Sequence, residues 1–314
     1  MPKNIFITGI TGCVGHYLFD VLANDSNYHL YLLVRNTEKI KFNYKSHTNV
    51  EIIQDDLNHI KKYADLLKDM DYVVHLAAVW GGRGAWEANY KDTYILFKLL
   101  DSKRCQKIVY VSTASILDEK GKLSKGSGLY GPSYIKSKYL SYKHLDTLEI
   151  HEHIITLFPT LILGGDKKHP YSHASLSIPA LFKWINILRF FKFELNFNFI
   201  HAQDISLIIK HFIENDTKES GCILGNKKVD FNEVVREGCK KLNKKLFFQI
   251  KISPKLIELL AKLARRPISA WDAYCLNRKN WNFDRAVNAA SFGIESQFQT
   301  VSDILNSYEE NNHA

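Results

Sequence analysis

The sequence predicts an α/β fold: a doubly wound parallel sheet joined to a smaller, mostly helical C-terminal substrate lobe. Three observations predict it. Short apolar runs alternate with helical patterns at an interval that calls for right-handed crossovers between parallel strands. The first run, Ile5 to Ile7, breaks into Gly9, Gly12 and Gly15 and then into a helical pattern through Leu18, Val21 and Leu22. The polar and glycine-rich motifs as far as residue 115 fall at the carboxyl ends of strands, where such sheets bind ligands.

Taken in order, the opening reads as a strand, a tight turn and a helix whose first N–H groups face a pyrophosphate. Gly9 allows the turn, Gly12 lets the backbone approach the phosphates, and Gly15 lets helix and strand pack closely. Thr11, Cys13 and Val14 complete the loop as candidate cofactor contacts. The spacing is T-G-x-x-G-x-x-G, not the G-x-G-x-x-G of long-chain dehydrogenases. A second strand, 29–34, leads into Arg35. An acidic residue at that point would bond a ribose 2′-hydroxyl, whereas a basic one accommodates a 2′-phosphate. From the start of that strand no Asp or Glu occurs before Glu38, and Arg35 and Lys39 are cationic. NADP is therefore favoured, with NAD possible; the alternative is a solvated turn.

The third strand, 50–54, ends in Asp55-Asp56-Leu57. Asp56 with Leu57 could receive the adenine, or Asp56 could cap the helix that follows. The fourth strand, 72–76, runs into Ala77 and Ala78, small enough to pass a flat cofactor, and then into a glycine-rich turn at 81–84. A helix over 86–100 and a fifth strand over 107–111 follow, ending in Ser112-Thr113-Ala114-Ser115.

Tyr134 and Lys138 lie early in a helix that starts near Pro132, a good first-turn residue. Four residues apart, they share a helix face. A nearby ammonium lowers a phenol's pKa from about 10, which makes Tyr134 a candidate general acid/base. Thr113 supplies a hydroxyl to orient a substrate carbonyl.

Composition narrows the class. Hydrophobic content of 46% and charged content of 24% are those of a globular protein. Met1-Pro-Lys leads straight into a core strand, so no secretory leader is expected. No apolar run approaches the roughly eighteen residues of a spanning helix. Five cysteines, Cys13, Cys105, Cys222, Cys239 and Cys275, show no C-x-x-C pair and favour reduced cytoplasmic thiols over disulfides or zinc. The net charge of +9 is spread along the chain, without a basic block, and reads as a solvated surface and not a nucleic-acid site. No metal is expected; His169, His173 and His201 read as surface or hydrogen-bonded residues.

The chain resembles the extended short-chain dehydrogenases/reductases, the NAD(P)-dependent epimerase/dehydratase family. The resemblance rests on Thr8-Gly9-x-x-Gly12-x-x-Gly15, Asp56-Leu57, His75-Leu-Ala-Ala78, Asn89-x-x-x-Thr93, Val111-Ser-Thr-Ala-Ser115 and Tyr134-x-x-Ser-Lys138. Further on it includes 158–164, 199–205, 281–286 and Phe292-Gly293. It implies a Rossmann-type domain over 1–165 plus about 198–225, and a substrate lobe over about 166–197 and 226–314. It also implies Pro159 beside the nicotinamide, and a homodimer through helices near 86–100 and 133–149. Two departures stand out: Asp118 replaces a frequent glycine, and the stretch before Phe199 lacks the arginine that often holds a sugar nucleotide's diphosphate.

Substrate choice falls to the lobe. The segment 177–193 is apolar, aromatic and interspersed with cations, readable as a pocket wall, a membrane-surface segment or, preferred, a helix and strand packed on the lobe's own core. Residues 254–264 form an amphipathic pattern read as core. Pro267-Ile-Ser-Ala-Trp271 leans toward the sterol-dehydrogenase-like and dihydroflavonol-reductase-like branch. The first reading is therefore an NADP-dependent oxidoreductase acting on a secondary alcohol or ketone of a fairly apolar small molecule. A nucleotide-sugar epimerase or dehydratase with tightly bound NAD is the alternative. A non-catalytic NADP-binding regulatory protein is the third, disfavoured by the intact Tyr134/Lys138 pair.

Overall fold

A computed structural model describes all of the chain except residues 83, 254–261, 263–267, 279 and 314. The helix expected over 254–264, apart from Lys262, and Pro267 lie outside the described residues. Seven parallel strands form the main sheet: β1 (Lys3–Thr8), β2 (Tyr28–Leu33), β3 (Val50–Ile53), β4 (Tyr72–His75), β5 (Lys107–Val111), β6 (Ile154–Pro159) and, later in the chain, a strand at Gly221–Leu224. Their spatial order runs from the 221–224 strand through β6, β5, β4, β1 and β2 to β3. The winding therefore reverses between β1 and β4, which opens a crevice at their carboxyl ends.

The apolar runs are continuous because both faces are buried. Ile5 and Ile7 point into one core layer with Leu18 and Leu22 of α1 (Cys13–Leu22). Phe6 points into the other, with Ile60 and Phe97. The same alternation divides Val74 from Val73, Val109 from Ile108 and Ile155 from Ile154. The second layer carries α2 (Ala64–Lys68) and α3 (Thr93–Lys98). The uninterrupted helix expected over 86–100 is instead a π-helical turn, Glu87–Asp92, followed by α3. That wide turn holds the side chain of Asn89 inward, an arrangement common at functional sites.

Beyond β5 come α4 (Lys125–Tyr130), α5 (Ser133–Lys143), β7 (Leu161–Leu163) and α6 (Ile178–Leu188). Next are β8 (Phe191–Phe193), β9 (Asn196–Phe197), β10 (Phe199–His201) and α7 (Ala202–Glu214), which packs on α1. The strand at 221–224 is β11. After it come β12 (Val229–Asp230), α8 (Phe231–Lys241), β13 (Ile250–Ile252), α9 (Ala270–Asn277), β14 (Asn280–Trp281) and α10 (Val301–His313). Here α6 buries Ile178 and Ile185 against neighbours from α8 and β10, so the helix and strand expected over 177–193 do pack on a local core. Among the described residues no helix is long and apolar enough to cross a membrane.

Helix α1 meets the glycine turn very closely: a Cβ on Gly15 would lie 2.4 Å from the Ile10 carbonyl oxygen. Gly15→Ala should destabilise the chain by about 2 kcal/mol through overpacking against backbone that cannot yield. Urea unfolding without added dinucleotide measures it; an unchanged midpoint would refute the tight contact.

Candidate active site

Gly9 has φ of 76°, and a Cβ there would fall 2.5 Å from the Ala77 nitrogen, so the turn after β1 runs against the end of β4. Gly12 donates its N–H to the Gly9 carbonyl at 3.0 Å and opens α1. That helix has neither a side-chain cap nor an acidic residue in its first turn. The first N–H groups of a helix have no partner within it, and they favour an anion. A Cβ on Gly12 would meet only the Gly9 carbonyl oxygen, at 3.3 Å, so the loop is open on that side. These features fit a dinucleotide pyrophosphate. Thr11 is partly exposed beside the loop, whereas Val14 packs on the core and its carbonyl accepts the Ser206 hydroxyl at 3.1 Å. Burial pushes the Cys13 thiol up to about 12, so it stays neutral.

At the ends of β2 and β3 the guanidinium of Arg35, whose side chain is 64% exposed, lies 3.6 Å from the Asp56 carboxylate. Asp56 also accepts the Asn58 N–H at 3.0 Å, which makes it the helix cap of the alternative reading. The side chain of Leu57 is buried with Ile60 and Phe97, which leaves its backbone to face a ligand.

Thr113, Tyr134 and Lys138 come together. Thr113 caps the short turn after β5, accepts the Ser115 N–H at 3.2 Å and lies close enough to the Tyr134 phenol to act on its ionisation. Tyr134 stands in the first turn of α5 and Lys138 one turn on, both buried. The Lys138 ammonium donates to the Val111 carbonyl at 2.9 Å and sits 4.7 Å from the centre of the Tyr110 ring. Burial pulls Lys138 down to about 7. Burial also pushes the Tyr134 phenol above its ordinary value, reinforced by Tyr110 and opposed by Thr113. The spacing led to an expected lowering of this phenol, whereas burial raises it. Desolvation penalises the charged form of each group.

Asn89 fixes this arrangement. Its carboxamide accepts the Val79 N–H at 2.7 Å and donates to the Val79 carbonyl at 2.8 Å. It also donates to Ser137 at 3.0 Å, and Ser137 donates to the Tyr134 carbonyl at 2.9 Å. The loop after β4, which carries Ala77 and Ala78, is thus tied to the first turns of α5. Pro159 closes β6 and is buried; its neighbour Phe158 packs in the same cluster as Tyr134. Trp80 carried no sequence signal beyond an aromatic beside glycines, yet its indole stacks on the Tyr134 ring at 4.6 Å and 11°. His173 contacts the indole, also at 4.6 Å.

Asn198 occupies the position before Phe199, donating to the Asn226 carbonyl at 2.7 Å and accepting the Phe283 N–H at 2.7 Å. Asp118 accepts the N–H groups of Lys120 and Lys122 and closes a turn. All five cysteines are free. Among the described residues no cluster of His, Cys, Asp and Glu could hold a metal.

The profile of the NAD dependent epimerase/dehydratase family matches residues 5–221. Several solved structures share the fold. UDP-glucuronic acid 4-epimerase from Bacillus cereus, in complex with UDP-glucuronic acid and NAD, is 18% identical, with a TM-score of 0.66 over 99% of each chain. dTDP-glucose 4,6-dehydratase from Bacillus anthracis, in complex with NAD, is 17% identical, with a TM-score of 0.65 over 99% of this chain and 98% of that one. UDP-N-acetylglucosamine 4-epimerase from Methanobrevibacter ruminantium, in complex with UDP-N-acetylmuramic acid, is 20% identical, with a TM-score of 0.60 over 80% of this chain and 85% of that one. No curated protein sequence matches the chain.

A histidine clamp closes the outer side of α1. His169 is buried, stacks on Tyr17 at 3.8 Å, and bridges Asp20 at 2.7 Å and Asp166 at 2.8 Å. Burial opposes its charge, but the hydrogen bonds to Asp20 and Asp166 hold its pKa above the ordinary 6.5. A raised histidine contributes stability that is complete below the unfolded value and lost as pH rises through the folded one. Between about pH 6 and 9, the wild-type melting temperature should therefore fall more steeply than that of His169→Gln. Parallel slopes in a thermal-shift titration would count against the clamp.

Proposed function

The chain belongs to the NAD dependent epimerase/dehydratase family, and from that premise we propose that it transforms a nucleotide sugar, oxidising and re-reducing one carbon with a retained dinucleotide. The observation that carries this reading is the gathering of Thr113, Tyr134 and Lys138 at the carboxyl end of β5, on the sheet edge that also bears the uncapped turn of α1. When bound, the nicotinamide takes up and returns hydride. The backbone of Gly9, Thr11, Gly12, Cys13, Val14 and Gly15 would hold its phosphates. Arg35, Asp56 and the Leu57 backbone would hold the adenosine half, and Ala77, Ala78 and Pro159 would line the rest.

Tyr134 moves a proton between its phenol oxygen and the substrate hydroxyl, and Thr113 aligns that hydroxyl. The Lys138 ammonium has one carbonyl partner and two further N–H donors. A ribose hydroxyl accepting from it would favour its charged form, and that charge in turn eases ionisation of the phenol.

A second reading, reduction of an apolar ketone with NADPH, is supported by the indole of Trp80 across the phenol and by the stretch before Phe199, which lacks the arginine that often holds a diphosphate. The two differ in stoichiometry. The first expects about one NAD per chain after denaturation of purified protein, and turnover of UDP-sugars without net change in NADH absorbance. Consumption of one NADPH per product would displace it in favour of the second. Under both, Tyr134→Phe lowers kcat on the order of 10³-fold while dinucleotide affinity holds; full activity in that variant would remove the phenol from the mechanism.

Arg35 bears on cofactor choice. If it receives a 2′-phosphate, Arg35→Ala weakens NADP about tenfold, roughly 1.4 kcal/mol, and leaves NAD nearly unchanged. Equal losses for both, measured by calorimetric titration, would reject that role.

A further inference from the structure

Helix α6 has two apolar faces, and among the described residues only one of them is covered. Ile178 and Ile185 are buried, whereas Trp184 and Ile187, with Leu176 of the turn just before the helix, are exposed, Trp184 with 52% of its surface. At the carboxyl end of the helix this stripe is extended by a second segment. β13 pairs with β8, and the residues ahead of it wrap the helix end, leaving Phe247, Phe248 and Ile250 outward. Phe248 is 86% exposed.

The wrapping segment is held in place. The Arg189 guanidinium lies 5.0 Å from the Phe190 ring centre and 5.1 Å from that of Phe247, and the two rings stack at 5.6 Å. The same guanidinium donates to the Lys245 carbonyl at 3.3 Å. The Ile250 N–H reaches the Phe190 carbonyl at 2.8 Å. Ordered aromatic side chains standing in water are costly, and a contiguous exposed apolar patch marks an interaction surface.

Charge identifies the partner. Residues 183–192 carry Lys183, Arg189 and Lys192, residues 244–251 carry Lys244, Lys245 and Lys251, and neither stretch contains a carboxylate. Glu194, alongside, pairs with Lys251 at 2.5 Å. Trp and Phe beside Lys and Arg on one amphipathic surface is the composition of a segment lying in the interface of an anionic bilayer. A second copy of the chain would bring like charges together. Ala180 and Trp184 also wall an apolar cavity of about 380 Å³, lined as well by Val301 and Ile304 of α10, which gives hydrocarbon beside the indole somewhere to go.

We propose that the face made by α6 and residues 244–251 binds the surface of a bilayer containing anionic lipid. The bilayer is then a docking surface, independent of which substrate the enzyme takes.

Co-sedimentation of the full chain with vesicles tests this. Vesicles of phosphatidylcholine with about one-third phosphatidylglycerol should bind at least tenfold more tightly than phosphatidylcholine alone, and W184E/F248E should abolish binding while keeping the wild-type melting temperature and NAD affinity. K244E/K245E, confined to solvated side chains, should lower binding to anionic vesicles, as should added salt. Equal binding by wild type and W184E/F248E overturns the proposal, as does failure to bind anionic vesicles. A dimer in sedimentation velocity that F248E dissolves, without vesicle binding by the wild type, reassigns the face to self-association.

Discussion

A directed run of hydrogen bonds across the carboxyl edge of the sheet holds this structure in register. His75 is fully buried, and burial keeps its imidazole neutral. The Thr93 hydroxyl donates to the Ala88 carbonyl at 2.9 Å, so it accepts from His75 Nε2 at 2.9 Å. The tautomer is thereby fixed, and His75 Nδ1 accepts the Thr8 hydroxyl at 2.8 Å. Thr8 in turn accepts the Ala77 N–H at 3.3 Å. A neutral imidazole can serve as donor on one side and acceptor on the other, which neither a protonated histidine nor an apolar residue could do. The ends of β1 and β4 and the π-helical turn are locked together, and through Asn89 and Ser137 the lock reaches the backbone of Tyr134. The glycine turn and the candidate acid/base thus share one rigid frame.

Much of that frame was legible in the sequence, because its constraints are local. Gly9 and Gly15 are required by a left-handed turn and a backbone contact that no side chain tolerates. The apolar runs of β1, β4 and β5 admit a two-sided sheet and little else, and Pro132 marks the start of α5. Strand boundaries differ from expectation by a residue or so, as at Tyr28–Leu33, because the ends are set by pairing with neighbours.

What the sequence concealed depends on contacts between distant segments. Trp80 is an ordinary aromatic until α5 brings Tyr134 beneath it. Leu57 sits beside a carboxylate in the chain yet turns into the core, since the short helix it begins presents Leu57 and Ile60 to one layer. The ionisation of Tyr134 and Lys138 could not be read from a spacing of four, because desolvation is a property of the whole pocket. Helix α6 was readable as packed, and it is. Its second apolar face becomes visible only once the 244–251 segment is seen wrapped around its end.

The bare first turn of α1 has a consequence beyond recognition. A helix that begins with neither a capping side chain nor a carboxylate is left electrically incomplete by its own chain. Whatever anion settles there finishes the polypeptide's own architecture, so occupancy and folding draw on the same free energy. Within a cell, the lifetime of such a chain against proteases would rise and fall with the supply of the molecule that completes it.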